Sequence, residues 1–357
     1  MRRTSVILLP LLGSLIFFGV GCVSFSSNGG SSVGGEGGIF KSSDRGDSWT
    51  QKSAIPTVGD EVRSISTFDI VAIAQDPQVA DAVYIGTVND GLFYTYDGGE
   101  SWQQPAQVSK GRVSSIAVSS KNKCVVFAAY SNRLIRTEDC SRTWEVSYLD
   151  PRQERSLTSV QVDRADPNQV WVATDGGDVL RSSDGGRSWS SVRTFKSSVV
   201  EIALVASDGR RIFAATKSDG IWRSDDAGAT WKYLSEAHKK EFSSSTELVT
   251  DLALGVSDPA VVIVASRYGL LRSRDYGDNW EKIPMLTPPK STTVYTLAVD
   301  PKDSSYIYYG TATTFYSTSN GGINWVPKTM PTTRTATALM VDNMNSTVLY
   351  MGVTKFK

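Results

Sequence analysis

"SSDGGRSW" occupies Ser182–Trp189, and close variants of it return along the chain. Aligned on the final tryptophan there are seven: "SSDRGDSW" (Ser42–Trp49), "TYDGGESW" (Thr95–Trp102), "TEDCSRTW" (Thr137–Trp144), the quoted copy, "SDDAGATW" (Ser224–Trp231), "SRDYGDNW" (Ser273–Trp280) and "TSNGGINW" (Thr318–Trp325). Successive tryptophans stand 42 to 53 residues apart. Self-similarity at that period signals a repeat architecture, with propellers the leading candidate.

The phrase sits at a fixed place in each unit. A short alternating run precedes it, such as "GLFYT", "DVLRS", "GIWRS" or "GLLRS". Two apolar runs come before that, as in "FDIVAIAQD" with "AVYIGTV", or "VYTLAVD" with "YIYYGTA". β-Branched and aromatic runs bounded by Asp, Pro, Gly and Ser read as strands. Each unit is therefore four strands, A to D, with the phrase as the C–D turn.

The turn has a local logic. Asp44, Asp97, Asp139, Asp184, Asp226, Asp275 and, in the last copy, Asn320 can accept backbone N–H groups just ahead of them. The Ser or Thr two positions earlier adds a second local hydrogen bond. Glycine two positions later takes φ > 0 without a steric cost. Trp49, Trp102, Trp144, Trp189, Trp231, Trp280 and Trp325 open strand D and can plug the seam between sheets. A calcium loop is the competing reading of D-x-G. Each turn offers one or two carboxylates where calcium takes six to eight oxygens, so no metal or other cofactor is expected.

The pattern S/T-x-D-x-G-x-x-W resembles the Asp-box, or BNR repeat, of sialidases, certain endoglucanases, sortilin-type receptors and the photosystem II stability/assembly factor family. Five copies match fully; the third has Ser141 for Gly and the seventh Asn320 for Asp. The resemblance covers nearly all of the chain beyond its leader. The layout of one box per blade with few insertions is most similar to the assembly-factor family. That likeness implies a non-catalytic binding platform with a basic patch, helping to assemble membrane complexes. It also implies that the boxes lie on one face and that ligands meet the other, built from D–A and B–C loops.

The chain ends show how the ring shuts. "ATALMVD" (Ala336–Asp342) and "TVLYMGVT" (Thr347–Thr354) are A and B strands with no C or D after them. "GIFKSSDRGDSWTQ" (Gly38–Gln51) is C and D with no A or B before it. Joined, they make one blade of an all-β, seven-bladed propeller of four-stranded antiparallel sheets over residues 38–357, expected to be monomeric.

Residues 1–21 read as a leader: Met1-Arg2-Arg3, then an apolar stretch broken by Pro10. "FGVGC" resembles a bacterial lipobox, although Gly19 stands where Leu is usual. The resemblance implies a lipidated Cys22, membrane tethering and an extracytoplasmic place in a bacterial envelope. A plain secretory signal is the alternative. Residues 22–37 supply a Gly/Ser-rich linker of flexible composition. Cys124 and Cys140 remain, at the same end of adjacent strands of the third unit; a disulfide or two separate buried thiols are the two readings.

Lys+Arg and Asp+Glu are equal at 37 each, which argues against nucleic acid as partner. The single histidine, His238, lies in the charged stretch "SEAHKKEF", without the companions of a nucleophilic triad or a zinc site. Basic residues precede most A strands: Arg63, Arg112, Arg155, Lys196, Lys240, Lys290 and Arg334. On a ring they would form a collar for acidic protein segments, phosphates or sugar carboxylates. Asp60, Glu61, Asp150, Glu154, Glu236 and Glu241 share those loops and would reduce them to ordinary solvated surface. The longest loops, Gln51–Thr67 and Tyr233–Leu248, are the expected pocket-shaping ones. The enzyme alternative is a glycoside hydrolase, which needs two carboxylates. Asp69, Glu201 and Asp251, early in A strands, are its candidates, with a pair reaching across the tunnel. The functional expectation is thus a membrane-anchored protein- or peptide-binding platform, with a glycosidase or carbohydrate-binding ring as the alternative.

Overall fold

The computed structural model describes residues 36–57, 63–236, 242 and 244–356. The expected leader, Cys22, Asp60, Glu61, His238, Lys240 and Glu241 lie outside these residues. Among the described residues no helix is long and apolar enough to cross a membrane. Among the described residues the chain is strands connected by turns, with short 3-10 segments at Ala106–Val108 and Ser244–Glu247.

Seven antiparallel sheets follow the seven boxes. The first joins both ends of the chain: Gly38–Ser42 pairs with Thr50–Gln51 on one side and Leu349–Thr354 on the other, which in turn pairs with Thr335–Val341. Blades three to seven each order their four strands sequentially. Blade two has a three-stranded sheet, Ile70–Gln75, Val83–Thr87 and Leu92–Thr95; its fourth position is a single bridge from Tyr94 to Gln103. The strand is short because Trp102 turns aside, donating its backbone N–H to Ala54. Ala54 belongs to a small hairpin, Ala54–Ile55 with Arg63–Ser64, so the expected loop at Gln51–Thr67 is partly ordered as strand.

The A strands are neighbours in succession right round the molecule, from Thr335–Val341 through blades two to seven and back. The ring is closed, and no blade's inner strand is left unpacked.

Each box is wired as its residues dictate. In the first, the Ser42 hydroxyl donates to Asp44 Oδ1 at 2.7 Å and accepts the Gly46 N–H at 2.8 Å. Asp44 Oδ1 accepts the Ser48 N–H at 2.9 Å, and Oδ2 accepts the Ser48 hydroxyl. That hydroxyl and the Ser48 N–H hold the Asp44 carboxyl down at about 2; Thr143 does the same for Asp139. The residue before the box glycine also takes positive φ: Arg45 at 59°, Ala227 at 56°, Tyr276 at 59°. Two consecutive left-handed residues turn the chain sharply enough for the tryptophan to swing into the seam.

The tryptophans fill that seam from the far side. Trp102 is fully buried and donates to the Lys52 carbonyl of blade one at 2.9 Å. Trp189 packs on Tyr148 of blade three, and Trp49 meets Phe315 of blade seven edge-on at 5.4 Å. Trp280 joins Phe213, Ile221 and Leu234 of blade five in one cluster with Val262 and Val264 of blade six. The core is accordingly a circle of inter-blade clusters rather than one central mass.

A second set of links joins blades through the box backbone. The carbonyl of each box's fourth residue accepts a donor from the preceding blade. Arg136 reaches Gly185, Arg181 Ala227, Arg223 Tyr276 and Arg272 Gly321. Lys328 reaches Arg45, Lys41 reaches Gly98, and the Tyr96 hydroxyl reaches Cys140. On the same face, Asp76, Asp163, Asp300 and Asp342 cap the A–B turns by accepting N–H groups two residues ahead, and all four are buried.

Candidate functional site

The faces differ in what they offer. Boxes and A–B turns crowd one face; the D–A and B–C loops rim the other. Where the A strands begin, on the loop face, the central tunnel opens into a space of about 290 Å³. Ser114, Ser115, Thr158, Ser159, Glu201, Thr250, Asp251 and Thr296 make its wall polar. Towards the box face the tunnel widens again to about 340 Å³ with a more aliphatic wall, including Ile116, Val162, Leu254 and Met340.

Strand alternation brings Glu201 and Asp251 into the wall, on adjacent blades five and six. They do not face each other across the tunnel as the sequence suggested; their carboxyl groups are hydrogen-bonded to one another. Asp251 accepts the Leu297 N–H of the next blade at 2.6 Å and the N–H of its own neighbour Leu252 at 2.8 Å; the Leu252 N–H also lies towards Glu201 across the blade boundary. Ser115 of blade three and Ser159 of blade four are the counterparts of this staple, accepting from Val160 and Ile202 at 3.1 Å. Enclosure by the ring raises both carboxyls, Glu201 further because ionised Asp251 lies beside it. One proton shared between two carboxylates is the expected state.

Asp69 is elsewhere. It sits just before strand Ile70–Gln75, bound by the Arg334 guanidinium at 2.8 Å and by the Lys355 N–H at 2.8 Å. Arg334 donates as well to the Thr67 carbonyl. This pair ties blade two to the closing blade, so Asp69 leaves the set of candidate acids and Arg334 leaves the collar. Sequence reading missed the pairing because 265 residues separate the two.

The rest of the collar divides by partner. Arg63, Arg112, Lys196 and Lys290 are exposed. Arg112, one residue before strand Val113–Val118, makes no ion pair with a described residue; its side chain is exposed overall, and partial desolvation of the guanidinium lowers its pKa. Arg155 lies against Gly176 so closely that a Cβ there would come within 2.6 Å of Nη1. Its Nε is buried without an acceptor, and Oδ1 of Asp175, next to Gly176, is buried without a donor. Of the loop acids, Asp150 is taken by Arg152 at 2.7 Å, which also holds Asp178 at 2.6 Å. Glu154 and Glu236 are exposed. Arg112, Arg155 and Lys196 thus stand at the entrances to three consecutive blades with little local neutralisation. Arg152 was overlooked in the sequence because it lies five residues ahead of its A strand; its proximity to Asp150 is the signal that marks it as structural.

Cys124 and Cys140 are joined as a disulfide at the box end of blade three. No group of three or more metal-ligating side chains occurs among the described residues.

Residues 110–247 match the family model described as photosynthesis system II assembly factor YCF48. A probable oligoxyloglucan-reducing end-specific xyloglucanase of Neosartorya fischeri is 35% identical over 75 residues, 20% of this chain and 9% of that protein. Among solved structures, the GH74 xyloglucanase of Xanthomonas campestris superposes with a TM-score of 0.66 at 15% identity, covering 80% of this chain and 51% of the enzyme. YCF48 bound to D1 peptide gives 0.63 at 15% identity, covering 85% and 96%. YCF48 from Cyanidioschyzon merolae gives 0.62 at 14%, covering 80% and 95%. The chain therefore spans about half of the GH74 enzyme and nearly all of the two YCF48 structures. It is a BNR-type propeller related to YCF48.

Proposed function

We propose that this propeller is a non-catalytic platform that receives an acidic protein or peptide segment on its loop face. One observation carries the reading: the acids that hydrolysis would need are consumed, while arginines on the same face are not. Glycoside hydrolysis requires two carboxyl groups about 5–5.5 Å apart for retention or about 6.5–9.5 Å for inversion, with sugar or water between them. Glu201 and Asp251 are in direct hydrogen-bond contact and staple neighbouring blades, and Asp69 is ion-paired. Arg112 and Arg155 have no carboxylate partner at ion-pair distance among the described residues. A guanidinium so placed suits bidentate capture of a carboxylate. The near-complete overlap with a YCF48 structure that holds a peptide supports the same reading.

In the full account the ring hangs from an envelope membrane by lipid on Cys22, after removal of residues 1–21, and works as a monomer. Mass spectrometry of membrane-fraction protein checks the anchor, with Cys22→Ser as control; soluble, unlipidated Cys22 protein contradicts it.

The test of the platform is cross-linking capture by wild-type ring and by Arg63→Glu/Arg112→Glu/Arg155→Glu, with Arg334 left intact because it supports the fold. Loss of the same cross-linked partners is expected from the triple variant; undiminished capture sinks the proposal. A carbohydrate-binding ring is the second reading, favoured by the 75-residue match to a xyloglucanase. Retention on immobilised xyloglucan separates the two.

A further inference from the structure

Blade three carries the box that departs most from its fellows. The other six have glycine at the fifth position; here Cys140 and Ser141 follow each other at φ 59° and 68° with no glycine between them. Consecutive left-handed non-glycine residues are strained. The fourth residue's N–H donates within its own blade in every box. Six of those bonds run from 2.8 to 3.0 Å, whereas Cys140 to the Cys124 carbonyl is 3.4 Å. Six boxes, those of blades one, two and four to seven, receive a Lys or Arg from the preceding blade on the fourth carbonyl. The Cys140 carbonyl receives only the neutral Tyr96 hydroxyl, at 3.3 Å. The Trp144 indole N–H has no acceptor, a lack shared only with Trp49 among the box tryptophans. The one element that blade three has and the others lack is the covalent bond between the two residues that the weak hydrogen bond joins.

We propose that the Cys124–Cys140 disulfide is a redox-sensitive latch: its reduction releases the blade-three corner while the other six boxes hold. Both cysteines are partly solvent-accessible, so a small dithiol can attack. The dithiol's first thiolate bonds to one protein sulfur and the Sγ–Sγ bond breaks. Its second thiolate then closes the reagent's own disulfide and frees the first protein sulfur. The protein gains two electrons and two protons as two thiols, and the dithiol loses as many. What remains at the corner is the long N–H bond, the Tyr96 contact and a strained turn. In an oxidising compartment the latch stays shut.

Amide hydrogen exchange of the full chain, followed by peptide mass spectrometry with and without dithiothreitol, tests this. Exchange in residues 119–149 should rise about tenfold or more on reduction, with no change around the other six boxes. Unchanged exchange in 119–149, or an equal rise around all seven boxes, overturns the latch. A repaired corner, Cys124→Ala/Cys140→Gly/Ser141→Gly, separates latch from general fragility. It should keep slow exchange in dithiothreitol; dithiol-dependent exchange in this variant overturns the proposal too. A Cys124→Ser/Cys140→Ser variant with slow exchange at the corner would likewise show that the disulfide is not what holds it.

Discussion

The backbone N–H of Arg45 donates to the carbonyl of Thr347 at 2.9 Å, joining a box near the start of the chain to a strand at its end. In the other six blades the same bond connects residues close in sequence. Here it spans the closing seam, beside the five-residue pairing of Gly38–Ser42 with Leu349–Thr354 and the Lys328 ammonium on the Arg45 carbonyl. Removing residues 347–357 takes away strand B of that blade, leaving Thr335–Val341 without its partner strand and Gly38–Ser42 paired only with Thr50–Gln51. The truncated chain should fail to fold. A soluble truncation with a sharp thermal transition would contradict the closure.

Arg272 and Arg274 both contact Glu281, yet they should not matter equally. Arg272 is 12% exposed in its side chain and also donates to the Gly321 carbonyl of the next blade at 2.8 Å; Arg274 is 59% exposed. Arg272→Met should lower unfolding stability by about 1.5–3 kcal/mol, the scale of a hydrogen bond to a charged group. Arg274→Met should change it by less than about 1 kcal/mol. Urea midpoints read both; equal losses would remove the inter-blade role of the arginine.

Acid sensitivity follows from the boxes. Asp44 and Asp139 are held at about 2 by the hydroxyl and N–H at the seventh box position. Depressed carboxyls contribute stability above their unfolded pKa, near 4, and lose it as pH falls towards 2. The seventh box shows that an amide fits the corner, since Asn320 Oδ1 accepts the Asn324 N–H at 2.9 Å. Asp44→Asn/Asp139→Asn should therefore fold, and its stability should fall less steeply between pH 4 and pH 2 than that of the wild type. Parallel pH curves would show the carboxylates to be incidental.

The tunnel pair works in the opposite direction. Enclosure raises Glu201 and Asp251, so the folded ring keeps a proton that the unfolded chain releases near pH 4.5. Stability from this pair is complete below that pH and is lost as pH rises through the folded value. Glu201→Gln, which can still donate to Asp251, should flatten the decline between pH 5 and pH 8. A variant with an unaltered decline would place the pH sensitivity elsewhere.

Much of the fold was readable because its signal is local and repeated. Seven copies of Asp and Trp at fixed spacing declare seven corners, and the orphan strand pairs at the ends declare closure. The basic residue immediately before five of the boxes, as in Lys41, Arg136, Arg181, Arg223 and Arg272, was equally visible. Its meaning was not, because the carbonyl it caps belongs to the next blade. The A–B caps at Asp76 and Asp300 passed unnoticed for another reason: a buried Asp and a loop Asp look alike in sequence. The candidate site was less legible. Alternation placed Glu201 and Asp251 in the tunnel, but side-by-side contact depends on the stagger between neighbouring blades. Arg334 and Asp69 looked like free loop charges until ring closure brought them together.

Binding at the loop face is the claim on which the functional account rests, and one titration tests it most directly. Fluorescence anisotropy with an Asp/Glu-rich peptide, at low and at raised salt, compares the wild-type ring with Arg112→Glu/Arg155→Glu, while xyloglucan in parallel tubes is followed for reducing-end release. The account predicts salt-sensitive peptide binding that the double variant loses, with no sugar released by either protein. Equal peptide binding by both rings, or release of reducing ends by the wild type, would contradict it.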